Sequence, residues 1–331
     1  MHRGRSLCFN RSLALLGLLA SAPALADEGP SVDLSGIIFG HLGYPLDVDD
    51  GRYSEFDLDR VYLTARSKLG EGFSARVTTD MGRTGAPEDT KLRPFLKYAY
   101  LELEGSEEVM FRFGASGTAW TGQYDDFWGH RYVAKSLADG TGVLSSSDIG
   151  VQAYGRHKDG MVSWQVGVFN GEGHGSPESS WTKTAQACVT ADPMSSSDEV
   201  KLPISIFISQ DILVAKVEQG KRVVAAGMGV DTPMALLWGE YLMQDQGAAS
   251  AAGYSATVIG KAGDLANLLL RYDRFDPGLG TDGNATTTMI AGLTRDFLEK
   301  VSAAVTYERA TPEADPDAVS QGVFVRIQAG L

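Results

Sequence analysis

Gly322-Val-Phe-Val-Arg-Ile-Gln-Ala-Gly-Leu331 sets an apolar side chain at every second position. In an extended chain Val323, Val325, Ile327, Ala329 and Leu331 project to one side, and Phe324, Arg326, Gln328 and Gly330 to the other. A strand crosses a bilayer in about nine to eleven residues and needs an apolar face only toward lipid. This stretch meets both conditions. The same period recurs upstream. Val61, Leu63, Ala65 and Leu69 alternate with Tyr62, Thr64, Arg66 and Lys68, and Phe73, Ala75, Val77 and Thr79 alternate with Ser74, Arg76, Thr78 and Asp80. Val162, Trp164, Val166 and Val168 alternate with Ser163, Gln165, Gly167 and Phe169.

Period-two runs bounded by turn residues give about sixteen strands in one continuous domain, 27–331. Their spans are 32–44, 56–69, 72–82, 92–104, 109–119, 147–156, 161–170, 182–190, 200–210, 222–230, 234–244, 252–260, 266–274, 285–295, 301–309 and 321–331. The spans 182–190 and 222–230 carry the weakest alternation, and 211–221 reads equally as strand or loop. Short connections at 70–71, 105–108, 157–160, 231–233, 261–264 and 296–298 alternate with longer ones at 45–55, 83–91, 120–146, 171–181, 245–251, 275–284 and 310–320. Short periplasmic turns and longer external loops mark an up-and-down barrel; the connection 191–199 is the exception. The predicted fold is an all-β, transmembrane, antiparallel β-barrel with both termini on the periplasmic side.

The N-terminus fits that compartment. Arg3, Arg5 and Arg11 accompany the apolar run 13–20, and Ala24-Leu25-Ala26 supplies small residues for cleavage, so 1–26 reads as a signal peptide. Its removal makes the net charge of −13 three units more negative. No stretch approaches the ~18 consecutive apolar residues of a membrane helix. Cys8 belongs to the signal, which leaves Cys188 alone and excludes an internal disulfide framework. The expected location is the outer membrane of a Gram-negative bacterium.

On the non-lipid parity of the strands lie the bases Arg60, Arg66, Lys68, Arg76, Arg112, Arg156, Arg271 and Arg326. The acids Asp80, Glu102, Asp148, Glu240, Asp273 and Glu308 share it, so the walls are near balance. The surplus acid falls in loops, at Asp47, Asp49, Asp50 and Glu55 and at Glu313, Asp315 and Asp317. A charged rim gathers counter-ions within a screening length of about 8–10 Å, so a wide channel of mild, cation-favouring selectivity is expected. Trp164, Tyr241, Tyr272 and Tyr307 suit an interfacial girdle. The longest connection, 120–146, carries Trp120, Tyr124, Phe127, Trp128 and Tyr132, which would pack on a wall. Its charges Asp125, Asp126, Arg131 and Lys135 would then face solvent; a loop this long in a compact fold is usually functional.

Phe56-Asp-Leu-Asp-Arg-Val-Tyr-Leu-Thr-Ala-Arg66, Phe111-Arg-Phe-Gly114, Trp128-Gly-His-Arg-Tyr132 and Ser146-Ser-Asp-Ile-Gly-Val151 together resemble bacterial trimeric porins related to the phosphate-selective porins. The resemblance runs through most of 30–175, with Trp238-Gly-Glu-Tyr241 and Leu269-Leu-Arg-Tyr-Asp273 as later echoes. It implies a sixteen-stranded channel, a homotrimer, insertion into outer-membrane lipid by the barrel assembly machinery, and a third external loop folded into the lumen as a constriction. On that pattern 120–146 is the constriction loop. The chain departs from it in ending on Leu331 rather than an aromatic residue, and in offering no arginine ladder that maps onto the family's.

No Gly-x-Ser-x-Gly elbow, His-Glu-x-x-His, P-loop or zinc-spaced cysteine pair occurs. Gly171-Glu-Gly-His-Gly175 lies in a polar loop, and neither His130 nor His174 has a serine or acid spaced as a catalytic partner. The acidic balance disfavours nucleic acid. No enzyme activity and no cofactor are expected. The favoured function is passive diffusion of small hydrophilic solutes or ions. A phosphate or anion channel, a barrel enzyme or adhesin, and a soluble exported β-protein are the alternatives.

Overall fold

The computed structural model describes residues 31–47, 53–83, 91–106, 108–157, 159–212, 220–263 and 265–331. The segment read as a signal peptide, together with Asp49 and Asp50, lies outside them. Sixteen runs rich in β-branched, aromatic and small residues form strands: β1 Val32–Pro45, β2 Glu55–Gly70, β3 Phe73–Gly82, β4 Arg93–Ser106, β5 Val109–Gly117 and β6 Ser147–His157. They continue as β7 Val162–Phe169, β8 Lys183–Ala191, β9 Ile204–Ile212, β10 Lys221–Asp231 and β11 Ala235–Gln246. The last five are β12 Ala249–Lys261, β13 Asn267–Asp276, β14 Thr286–Leu298, β15 Val301–Pro312 and β16 Ser320–Gly330. Each pairs antiparallel with its sequence neighbours, and β16 closes on β1 from Ile37 opposite Gly330 to Pro45 opposite Gly322. Closure removes every sheet edge, so the backbone needs no water along the strands.

The two connections that break the length rule differ from expectation in opposite ways. The 245–251 loop shrinks to Gly247 and Ala248, because Gly247 takes φ +62° and turns the chain in two residues. At the short-turn end, the 191–199 connection lengthens to 192–203, where Asp192 Oδ1 accepts from the amides of Met194 and Leu202 (both 3.0 Å). Lys201 then bridges to Asp231, the last residue of β10.

The outer surface is apolar. Phe113 (66% exposed), Ile206, Leu293 and Ile327 belong to it, and Tyr241, Tyr254 and Tyr307 stand on the same outward parity. No helix among the described residues is long and apolar enough to cross a membrane, which says nothing of strands. Between β5 and β6 the chain enters the barrel, forming α1 (Ala119–Trp128) and α2 (Leu137–Gly140). Trp120, Tyr124 and Trp128 recur at four-residue spacing on one side of α1, and each is 1% exposed.

Candidate functional site

The interior is divided by this inserted loop. Inward-facing Phe207, Val223, Ala225, Leu242, Ile259 and Leu269 are all fully buried beneath it. They form two clusters with Trp120, Leu137 and Leu144 at one end and Tyr124, Trp128 and Tyr132 at the other. Glycines on β10 shape the seat. A Cβ at Gly229 would meet Phe127 Cε1 at 2.4 Å, and one at Gly227 would meet Trp238 Cζ2 at 2.5 Å. Burying each such ring stabilises the seated loop by roughly 1.5–3 kcal/mol.

Polar groups fix its register. Glu240, 4% exposed, accepts from Trp120 Nε1 (3.1 Å) and from the Leu137 amide (3.0 Å), so one carboxylate holds both limbs. Arg271 donates to the Tyr124 hydroxyl (3.1 Å), lies 5.3 Å from the Trp128 ring centre and pairs with Asp273 at 2.8 Å. Three residues expected to line the pore therefore point inward but serve the loop's seat. Within the loop, Arg131 sits between Asp125 (2.9 Å) and Asp139 (2.6 Å). It does not face solvent as expected, because its two carboxylates cover it; Asp126 and Lys135 are exposed. Burial pushes the Asp125 carboxyl up to about 6 against the pull of Arg131, and leaves its Oδ1 without a partner.

The opposite wall stays polar. Arg60 stacks on Tyr62 (4.7 Å) and pairs with Asp80 (3.4 Å). Arg76 lies over Tyr98 (4.6 Å), with its Nε donating to Thr78 Oγ1 (3.0 Å). Arg112 is held between Tyr100 (4.8 Å) and Tyr154 (4.2 Å) and pairs with Glu102 at 2.5 Å. Arg326 stacks on Phe324 (4.4 Å) and pairs with Glu308. A cavity of about 510 Å³ on this side is lined by Asp33, Arg66, Lys68, Arg76, Tyr98, Tyr100, Glu102, Arg112 and Asp126.

The expected charge balance takes a specific form here. Asp80, Glu102, Asp273 and Glu308 are each paired with an arginine. Glu240 holds the loop, and Asp148 accepts from the amides of Ile149 (2.7 Å) and Gly171 (2.8 Å). Arg66, Lys68, Arg76 and Arg156 are in none of these ion pairs, and Arg66 stands directly opposite Arg76 across β2 and β3. Asp33 stands opposite Arg66 on β1, Glu102 also acts on Arg66, and Asp126 acts on Arg156.

Sequence parity passed over Tyr62, Tyr98, Tyr100 and Tyr154, although all share the inward phase with the arginines they support. Lys97 escaped for a different reason: it is the extra residue of a bulge opposite Thr78 and Thr79, and its Nζ reaches Ser146 Oγ at 2.6 Å. His130 donates through Nδ1 to the Trp128 carbonyl (2.6 Å), and burial lowers its pKa. His174, packed 5.9 Å from Phe95, is drawn down to about 4 by burial, so both rings are neutral fixtures near pH 7. Among the described residues no group of three or more His, Cys, Asp or Glu could hold a metal ion.

No protein-family model and no curated protein matches the sequence. The fold has solved counterparts. The anion-selective porin from Comamonas acidovorans aligns at 15% identity over 91% of this chain and 100% of its own, with a TM-score of 0.62. The outer-membrane channel DcaP of Acinetobacter baumannii aligns at 11% identity over 94% and 100%, TM-score 0.66. OmpT, an outer-membrane protein of Vibrio cholerae solved in a trimer form, aligns at 12% over 92% and 100%, TM-score 0.59. The chain is thus similar in fold, over nearly its whole length, to outer-membrane porin barrels.

Proposed function

We propose that the chain is an outer-membrane porin of a Gram-negative bacterium, a passive, non-enzymatic channel for small hydrophilic solutes and ions, inserted by the barrel assembly machinery and working as a homotrimer. The observation that carries this reading is the lumen itself. A loop is seated on one wall, and opposite it lies an arginine- and tyrosine-lined cavity in which Glu102 is paired with Arg112 while Arg66, Lys68 and Arg76 outnumber Asp33 and Asp126. Water ordered between the loop's charged edge, Asp125 and Asp126, and Arg60, Arg76 and Arg112 favours ions and polar solutes over apolar ones.

The unpaired bases argue for mild anion preference, opposite in sign to that expected from the acidic loops. Fixed wall charges beside the inserted loop outweigh rim charges screened over about 8 Å at physiological salt. A dedicated phosphate or anion channel is favoured by one further feature. Arg66 and Arg76 oppose each other directly, and like charges so placed destabilise a sheet by roughly 0.2–1 kcal/mol unless an anion lies between them.

Planar-bilayer recording of the refolded chain tests the proposal. A porin gives stepwise currents, in groups of three for a trimer. Block by millimolar phosphate would select the specific channel. A stable, heat-modifiable barrel that passes no current would overturn the porin reading and leave an adhesin or enzyme.

A further inference from the structure

Tyrosine changes sides around this barrel. On β2–β6 Tyr62, Tyr98, Tyr100 and Tyr154 all point inward, whereas on β11–β15 Tyr241, Tyr254, Tyr272 and Tyr307 point outward, within one half of the wall. Immediately toward the long-loop end stand outward-facing arginines. Arg274 lies opposite Tyr254, and Arg309 lies opposite Met289, which itself lies opposite Tyr272. Arg222 also faces outward, opposite Asp245. Arg274 gives one Nη to Glu313 (3.1 Å), while exposed Arg309, among the described residues, donates to Thr311 Oγ1 at 3.4 Å.

Outward arginine at this height is unexplained by the lumen or by barrel closure. Tyrosine rings mark the boundary between hydrocarbon and headgroups, so these guanidiniums sit at headgroup level in the outer leaflet. We propose that the outer face of β10–β15 docks the phosphate groups of the phosphorylated glycolipid of that leaflet. The order of chemistry along the wall matches such a molecule: arginine for phosphate, tyrosine for the sugar boundary, then Leu270, Val305 and Leu293 for acyl chains. Arginine binds phosphate through two parallel N–H donors, which makes the contact specific as well as attractive. This rests on the membrane-spanning reading proposed above.

The test is retention of lipid by the detergent-solubilised full chain, read by native mass spectrometry with diphosphoryl lipid A and, separately, phosphatidylcholine. Lipid A should be retained in preference to phosphatidylcholine, and Arg274→Gln/Arg309→Gln should lower its retention by at least about tenfold, since each good charge-assisted contact accounts for about that factor. Arg309→Lys, which keeps the charge and loses the fork, should fall between. Channel conductance, recorded in parallel, stays at the wild-type value. Equal retention by wild type and double variant overturns the proposal. So does a double variant that alters oligomeric state, which would assign this face to a second copy of the chain. Lipid retention by a barrel that carries no current would sink the channel reading and leave this one standing.

Discussion

The β2–β6 wall and the β8–β15 wall obey the same alternation and use it for opposite ends. On β2–β6 the inward residues are arginine, tyrosine, glutamate and threonine, and many remain open to water. On β8–β15 Phe207, Val223, Leu242, Ile259 and Leu269 face inward among fewer polar groups such as Glu240 and Arg271, so stretches of this wall are apolar on both faces. A strand wall of that kind needs a second layer inside, and the loop of α1 and α2 supplies it. The position of the inserted loop is therefore set by where the inward face loses its polarity. What is left open is the basic half.

Several substitutions would break or sharpen that division. Trp120→Ala removes a ring buried in the loop's seat and should destabilise the seated loop by about 3–5 kcal/mol, seen as rapid proteolysis between residues 118 and 146 in an otherwise intact barrel. Unchanged cleavage would mean that the loop is held elsewhere. Glu240→Ala leaves the Trp120 indole and Leu137 amide without an acceptor in a dry site, at a cost of about 1–3 kcal/mol. Accelerated hydrogen exchange at Leu137 should report it, with Glu240→Gln, which keeps one acceptor, in between. On the watery half, Tyr100→Leu removes only a stacking face from Arg112 and should cost roughly 0.5–1 kcal/mol. A melting shift as large as that of Trp120→Ala would erase the contrast.

A further effect concerns pH. Asp125 takes up a proton at about 6, above the ordinary carboxyl value of 3.8, so the folded loop binds the proton more tightly than the unfolded chain does. Seating of the loop should therefore strengthen as pH falls from 7 toward 4 and weaken as it rises through 6. Protonation also removes a negative charge beside the basic path, so relative anion permeability should rise over the same interval. Asp125→Asn should flatten that profile; an unchanged profile in the variant would assign the titration to another group.

Strand number, order and the inward phase of Arg60, Arg66, Arg76 and Arg112 were legible because one lipid-facing parity is compulsory in a barrel. The weak span 222–230 has a physical cause. Val223 and Ala225 face the loop while Val224 and Ala226 face outward, so the period vanishes where both sides are apolar. Parity likewise could not separate Glu240 and Arg271 from Arg66 and Arg76. It reports the side of the wall, whereas burial depends on a loop contributed by residues more than a hundred positions away. Lys97 was hidden by a bulge that shifts phase by one residue.

The most direct test of the account is the reversal potential of the wild-type channel under a KCl gradient, compared with that of Arg66→Gln/Arg76→Gln. Anion preference is expected in the wild type, and its loss or reversal when these two arginines, in none of the ion pairs above, are neutralised. Cation preference in the wild type, or a reversal potential indifferent to the double substitution, would contradict it.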